Sequence, residues 1–183
     1  MTADSPDHNR RSIRLQEYDY AQPGGYFVTI CTHGHKCLFG DVIDSEMRLN
    51  ELGEIADAEW RRTAEIRSEI ALDAFVVMPN HMHAVVFIAD DPPTSPADAL
   101  PRTLRGTGHR SLSALVAGFK AATTRRANAL RRSPILPFWQ RNYYEHIVRN
   151  EQDLDRIRQY VADNPARWSE DGYHPSKIRT SVE

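Results

Sequence analysis

Hydrophobic periodicity divides the chain into seven elements. In the stretch Gly25–Phe39, Tyr26, Val28 and Ile30 alternate with Phe27 and Thr29, which predicts a first strand. Glu51–Ile70 then follows a helical stripe of Leu52, Ile55, Ala56, Trp60, Thr63 and Ile70, with Asn50 placed to cap it. Two apolar runs, Ala74–Met78 and Ala84–Ile88, predict strands joined tightly at Pro79-Asn80. Ser111–Leu130 is a second helix, capped by Ser111, with Leu112, Leu115, Val116 and Phe119 toward the core; Pro134 and Pro137 end it. Tyr143–Val148 is a fourth strand, and Asn150 caps a last helix, Glu151–Asp163, which stops at Asn164-Pro165.

The first six elements have the order of a ferredoxin-like split βαβ unit, an α+β fold with an antiparallel sheet and helices on one face. The other face is expected to be open for a ligand, and the first and third strands to be central. The chain has 183 residues, one domain's worth. Residues 1–12 are read as a tail, 13–170 as a single domain with a long loop at 90–110, and 171–183 as a second tail. A structureless loop of about 20 residues in a compact domain is usually functional or disordered. No apolar run reaches the length of a membrane span and the polar N-terminus is no signal peptide, so a soluble, cytoplasmic protein is expected.

The chemistry gathers at His81-Met82-His83. Side chains alternate along a strand, so His81, His83, Val85 and Phe87 share one face and Met82, Ala84, Val86 and Ile88 the other. Two imidazoles about 7 Å apart at Cα can bind one metal ion through neutral nitrogens. A pair of strand histidines that only hydrogen-bonds its neighbours has the same pattern. The strand is apolar on both faces, however, and two polar rings buried in it need a purpose. Cys31, His33, His35 and Cys37 resemble a zinc set by composition, but an extended strand spreads them over about 20 Å, so a strand end and turn is the preferred reading. Cys31 and Cys37 give no disulfide framework.

The last helix adds two residues. Tyr160 borders the stripe Leu154, Ile157, Val161, and Asn164 lies one turn further on the same face. Each has an ordinary explanation, as a core-edge phenol and a helix stop. Beside His-x-His they also form a nucleophile and a carboxamide ligand able to reach one metal. Net charge is −2, yet from Ala99 to Tyr144 there is no acid, against Arg102, Arg105, Arg110, Lys120, Arg125, Arg126, Arg131, Arg132 and Arg141. That block points to a polyanion partner.

MPNHMH, followed about 60 residues later by FWQRNYYEHIVRNEQDLDRIRQYVADNP, resembles the REP-associated tyrosine transposases, members of the single-tyrosine HUH nucleases. The likeness runs from about Gly25 to Trp168. It implies that His81 and His83 bind a divalent metal, that Tyr160 is the nucleophile, and that Asn164 is a further ligand. The mixed set suits Mg²⁺ or Mn²⁺. It also implies cleavage and rejoining of single-stranded or hairpin DNA, with the nine basic residues gripping phosphates, no nucleotide cofactor, and a monomer or homodimer. Tyr143 and Tyr144 are decoys on the strand, and the loop 90–110 is long for compact members. Two other readings remain. Histidine-triad nucleotide hydrolases need a third histidine where Val85 stands; a domesticated relative would keep the basic face and bind nucleic acid without cleaving it.

Overall fold

The computed structural model describes residues 22–89, 111–131 and 137–178. The expected N-terminal tail and the loop 90–110 lie outside them. The main sheet has four antiparallel strands in the order β4-β5-β1-β6: β1 (Gly24–Cys31), β4 (Ile70–Val77), β5 (His81–Ile88) and β6 (Tyr144–Val148). The fold is α+β and ferredoxin-like, with β1 and β5 central as the element order requires. Cys31 pairs with His81 and Thr29 with His83, so the two histidines stand at the sheet's middle near the end of β1.

Both faces of β5 are covered, and the alternation read from the sequence decides by what. Met82, Ala84, Val86 and Ile88 join Tyr26, Val28 and Ile30 under α1 (Glu51–Ile66) and α2 (Leu112–Arg131). There Trp60 and Phe119 meet edge to face at 5.2 Å. Val85 and Phe87 join Phe27 beneath Leu154, Ile157 and Val161 of α3 (Glu151–Asp163). The expected open face is therefore partly roofed by α3. A strand apolar on both sides leaves no alternative, since exposing Phe27 and Val85 would forfeit about 1.5–3 kcal/mol for each side chain.

Two local readings need correction. Ile70 is the first residue of β4 rather than the last of the helix, because pairing with Ile88 outweighs its place on the helical stripe. The structure also contains a hairpin between β1 and α1 that the periodicity does not mark, β2 (Gly40–Ile43) with β3 (Glu46–Leu49). Its Asp44-Ser45 turn has φ of 52° and 64°, the left-handed pair that a two-residue hairpin favours. Gly40 permits the hairpin to close: at φ 131°, a Cβ would lie 2.0 Å from the Arg48 carbonyl oxygen.

Caps and charges fix the last helix. Asn50 Oδ1 accepts from Leu52 N and Gly53 N at the start of α1, and Asn150 Oδ1 accepts from Asp153 N at the start of α3. Arg158 grips Asp73 through two bonds, Nε to Oδ1 at 2.8 Å and Nη2 to Oδ2 at 2.7 Å. Asp73 lies where the β4–β5 register shifts, so this fork pins α3 across the irregularity, two residues before Tyr160.

Asp153 ties α3 to β6. His146 Nε2 bonds Asp153 Oδ2 at 2.9 Å, with Arg149 N on the same oxygen and Arg156 on the other. The His146 bond leads in pulling the carboxyl down to about 2 from an ordinary 3.8. A carboxyl depressed on folding stabilises fully above its unfolded value, and that stability is lost as pH falls through the folded one. Asp153→Asn should thus lower stability at neutral pH and flatten its loss between about pH 4 and pH 2. Urea melts across that window check it; parallel curves for both proteins would remove Asp153 from the account.

Candidate active site

His81 and His83 are 0% and 1% exposed. Asn80 fixes how the first ring is held. Its amide Nδ2 donates to the carbonyls of His35 (3.1 Å) and Tyr173 (2.7 Å), so Oδ1 faces His81 Nδ1 at 2.8 Å. A carboxamide oxygen only accepts, so His81 carries its proton on Nδ1 and turns the Nε2 lone pair inward. His83 Nδ1 meets Thr29 Oγ1 at 2.8 Å, across the β1–β5 pairing. Phe27 stacks on the His83 ring with centroids 5.4 Å apart.

The two Nε2 atoms lie 3.0 Å apart. Burial first, and a neighbouring imidazole second, hold both rings far below the ordinary histidine range, His81 at about 3. Both are neutral at physiological pH, the form that ligates metal. Asp171 brings a carboxylate to the same point, Oδ2 3.9 Å from His81 Nε2. The ligand atoms of His81, His83 and Asp171 all lie within 4.8 Å of one another. With the His83 proton on Nδ1 toward Thr29, three acceptors face each other, an arrangement that a cation relieves. The donor set, two imidazoles and a carboxylate, fits a divalent ion.

Tyr160 leans over this cluster from α3, its hydroxyl 3.1 Å from His83 Nε2 and its ring edge-on to Phe27. It is 43% exposed, open to a substrate on one side. Burial first and the Asp171 charge second push its phenol above the ordinary value, while the Asn164 carboxamide and Arg167 pull the other way. Asn164 is buried at the end of α3, and its Oδ1 has no hydrogen-bond partner. A buried acceptor left unpaired costs about 1–3 kcal/mol, so the Asn164 oxygen also favours a cation or donor.

Residues after α3 close the site from below. A short 3-10 helix, Trp168–Glu170, turns the chain back, and Asp171 Oδ1 accepts from Tyr173 N to set the carboxylate. Tyr173 packs on His81 at 4.8 Å and stacks on His35 at 5.4 Å. Asp171 and Tyr173 fall in the stretch that the sequence reading treats as a tail.

No family model matches the chain. A protein of Haemophilus influenzae strain Rd, described only as uncharacterized, is 39% identical over 171 residues, 90% of this chain and 92% of its own length. The chain belongs to one family with it. Among solved structures, the REP-associated tyrosine transposase bound to a REP hairpin aligns at TM-score 0.59 and 18% identity, over 85% of this chain and 73% of that one. The chain shares its fold with that transposase, which bears out the fold that the resemblance implies.

His81, His83, Tyr160 and the Asn164 carboxamide are brought to one end of the sheet. The basic residues of α2 are not. Lys120, Arg125, Arg126 and Arg131 belong to α2, on the sheet face opposite the histidines. Lys120 Nζ donates to the carbonyls of Gln140, Arg141 and Asn142, and Arg126 bonds Glu59 at 2.6 Å. Arg125, Arg131 and Arg141 are exposed, while Arg102, Arg105, Arg110 and Arg132 lie outside the described residues. The Cys31–Cys37 stretch is a strand end and a 3-10 turn at His33–His35, as preferred. Among the described residues it contributes no metal cluster. Asn80, Thr29 and Asp171 escaped the sequence reading. Asn80 directly precedes His81, where its sequence context marks only a turn; nothing local marks Asp171.

No helix among the described residues is long and apolar enough to cross a membrane.

Proposed function

We propose that this protein cleaves and rejoins single-stranded or hairpin DNA through a covalent bond to Tyr160. The observation that carries the reading is the Tyr160 hydroxyl 3.1 Å from His83 Nε2, beside paired neutral imidazoles and a carboxylate. His81, His83 and Asp171, with Asn164 beside them, would hold a divalent ion, Mg²⁺ or Mn²⁺. Such an ion would supply charge neutralisation at a phosphodiester and so lower the barrier to its attack. Asn80 and Thr29 orient the two rings and keep their Nε2 atoms inward. Tyr160 Oη gives its proton to solvent and attacks phosphorus; the phosphotyrosine bond forms as the bond to the 3′-oxygen breaks, and that oxygen takes up a proton from solvent and leaves as a free 3′-hydroxyl. Reversal by a 3′-hydroxyl rejoins strands without ATP. The fold match to a transposase described as bound to a REP hairpin supports hairpin DNA as the partner. The exposed arginines and the acid-free segment support contacts to phosphate.

Full-length protein, Mn²⁺ and labelled oligonucleotides, single-stranded and folded as palindromic hairpins, test this. A covalent adduct that survives denaturing electrophoresis and requires the ion is expected. DNA binding without any adduct would instead leave a nucleic-acid-binding protein.

Asp171→Asn keeps the shape and removes the charge, so Mn²⁺ affinity by calorimetry should fall about ten-fold or more. Asn164→Ala should weaken it less, because a carboxamide is a poorer ligand than a carboxylate. Unchanged Mn²⁺ affinity in Asp171→Asn would remove Asp171 from the ligand set.

A further inference from the structure

Neighbouring tyrosines at the start of β6 face opposite ways. The Tyr143 hydroxyl is 3.2 Å from Ser113 Oγ, its ring lies under Lys120 Nζ, and it packs with the α1–α2 layer. Tyr144 pairs with Thr29 and takes the histidine face. It is 43% exposed, as is Tyr160. The buried Phe27 ring lies between them, edge-on to Tyr144 at 6.4 Å and to Tyr160 at 6.0 Å. Two open aromatic rings thus flank one buried ring beside the reacting hydroxyl. Tyr160 has a chemical role there, whereas among the described residues the Tyr144 hydroxyl has no hydrogen-bond partner that would keep a large ring on an edge strand in water.

We infer that Tyr144 is a stacking platform for an unpaired nucleobase of the DNA strand being cleaved, next to the phosphate that Tyr160 attacks. The inference rests on the proposed single-strand cleavage. Every base has a π-face, so stacking holds a strand without reading its sequence, and it requires that the base be out of a duplex. A ring fixed by Phe27 gives the strand a lateral anchor that phosphate contacts alone do not provide. Tyr144 is a positioning residue: it touches the strand and leaves the bond-breaking to its neighbours. The ring, and not the hydroxyl, carries this role.

Fluorescence anisotropy on full-length protein in EDTA, with a labelled mixed-sequence single strand and the matching duplex, tests the inference. Tyr144→Ala should lose about ten-fold or more in single-strand affinity, with duplex affinity within about two-fold. Tyr144→Phe should bind as the parent does. Tyr144→Leu, which preserves an apolar side chain on the strand, should lose as Tyr144→Ala does and guards against misfolding of the smaller variant. Equal losses on single strand and duplex, or none on either, would overturn the inference. The adduct assay on the parent protein separates the two claims. Adduct formation with no stacking loss defeats this inference alone; stacking loss with no adduct defeats the cleavage reading, and with it the placing of the base beside an attacked phosphate.

Discussion

Tyr160→Phe is expected to abolish strand cleavage and the covalent adduct, by at least about three orders of magnitude. The change removes one oxygen and preserves the ring that meets Phe27 and His83. Packing is therefore retained, and the cost to stability is the lost hydrogen bond to His83 Nε2, about 1 kcal/mol. Tyr143→Phe and Tyr144→Phe should cleave at nearly the parental rate. The Tyr143 ring serves the α1–α2 layer, and Tyr144 acts through its π-face. Cleavage that survives in Tyr160→Phe, measured in single-turnover gels, would move the nucleophile elsewhere.

The second large effect is at the imidazoles. His83→Ala should eliminate cleavage while leaving DNA affinity within about three-fold, because phosphate contacts dominate binding. It removes the acceptor facing the Tyr160 hydroxyl and one of two Nε2 atoms held 3.0 Å apart. A ring 1% exposed is also part of the packing, so a stability loss of about 1–3 kcal/mol accompanies it. His81→Ala should behave alike, with the Asn80 oxygen left unpaired in place of Thr29. Mn²⁺ calorimetry alongside the cleavage assay distinguishes lost binding from lost chemistry. Parental metal affinity together with lost cleavage would assign His83 to the handling of the Tyr160 proton instead.

The sequence carried the parts of the site that depend on local periodicity. Period-two alternation put His81 and His83 on one strand face with Val85 and Phe87, and the structure shows that face. Helical spacing put Tyr160 and Asn164 one turn apart on α3, and both lie at the site. What depended on tertiary pairing was not legible. Ile70 fits a helical stripe as well as a strand, and only its partner Ile88 decides. The β2–β3 hairpin is four residues a side, too short for periodicity to stand out. Asp171 reaches the histidines because a 3-10 turn after α3 sends the chain back, and no spacing rule encodes that return. The acid-free segment misled in part. Lys120 and Arg126 find their partners within the chain, in backbone carbonyls and in Glu59, so charge density overstated the cations free for DNA.

The central claim is that Tyr160 alone forms the bond to DNA. The most direct measurement traps the adduct with Mn²⁺, digests it with protease and nuclease, and locates the retained nucleotide by mass spectrometry. The peptide spanning Gln159–Arg167 should carry it, on Tyr160. A nucleotide found instead on Tyr143, Tyr144 or Tyr173 would contradict the account.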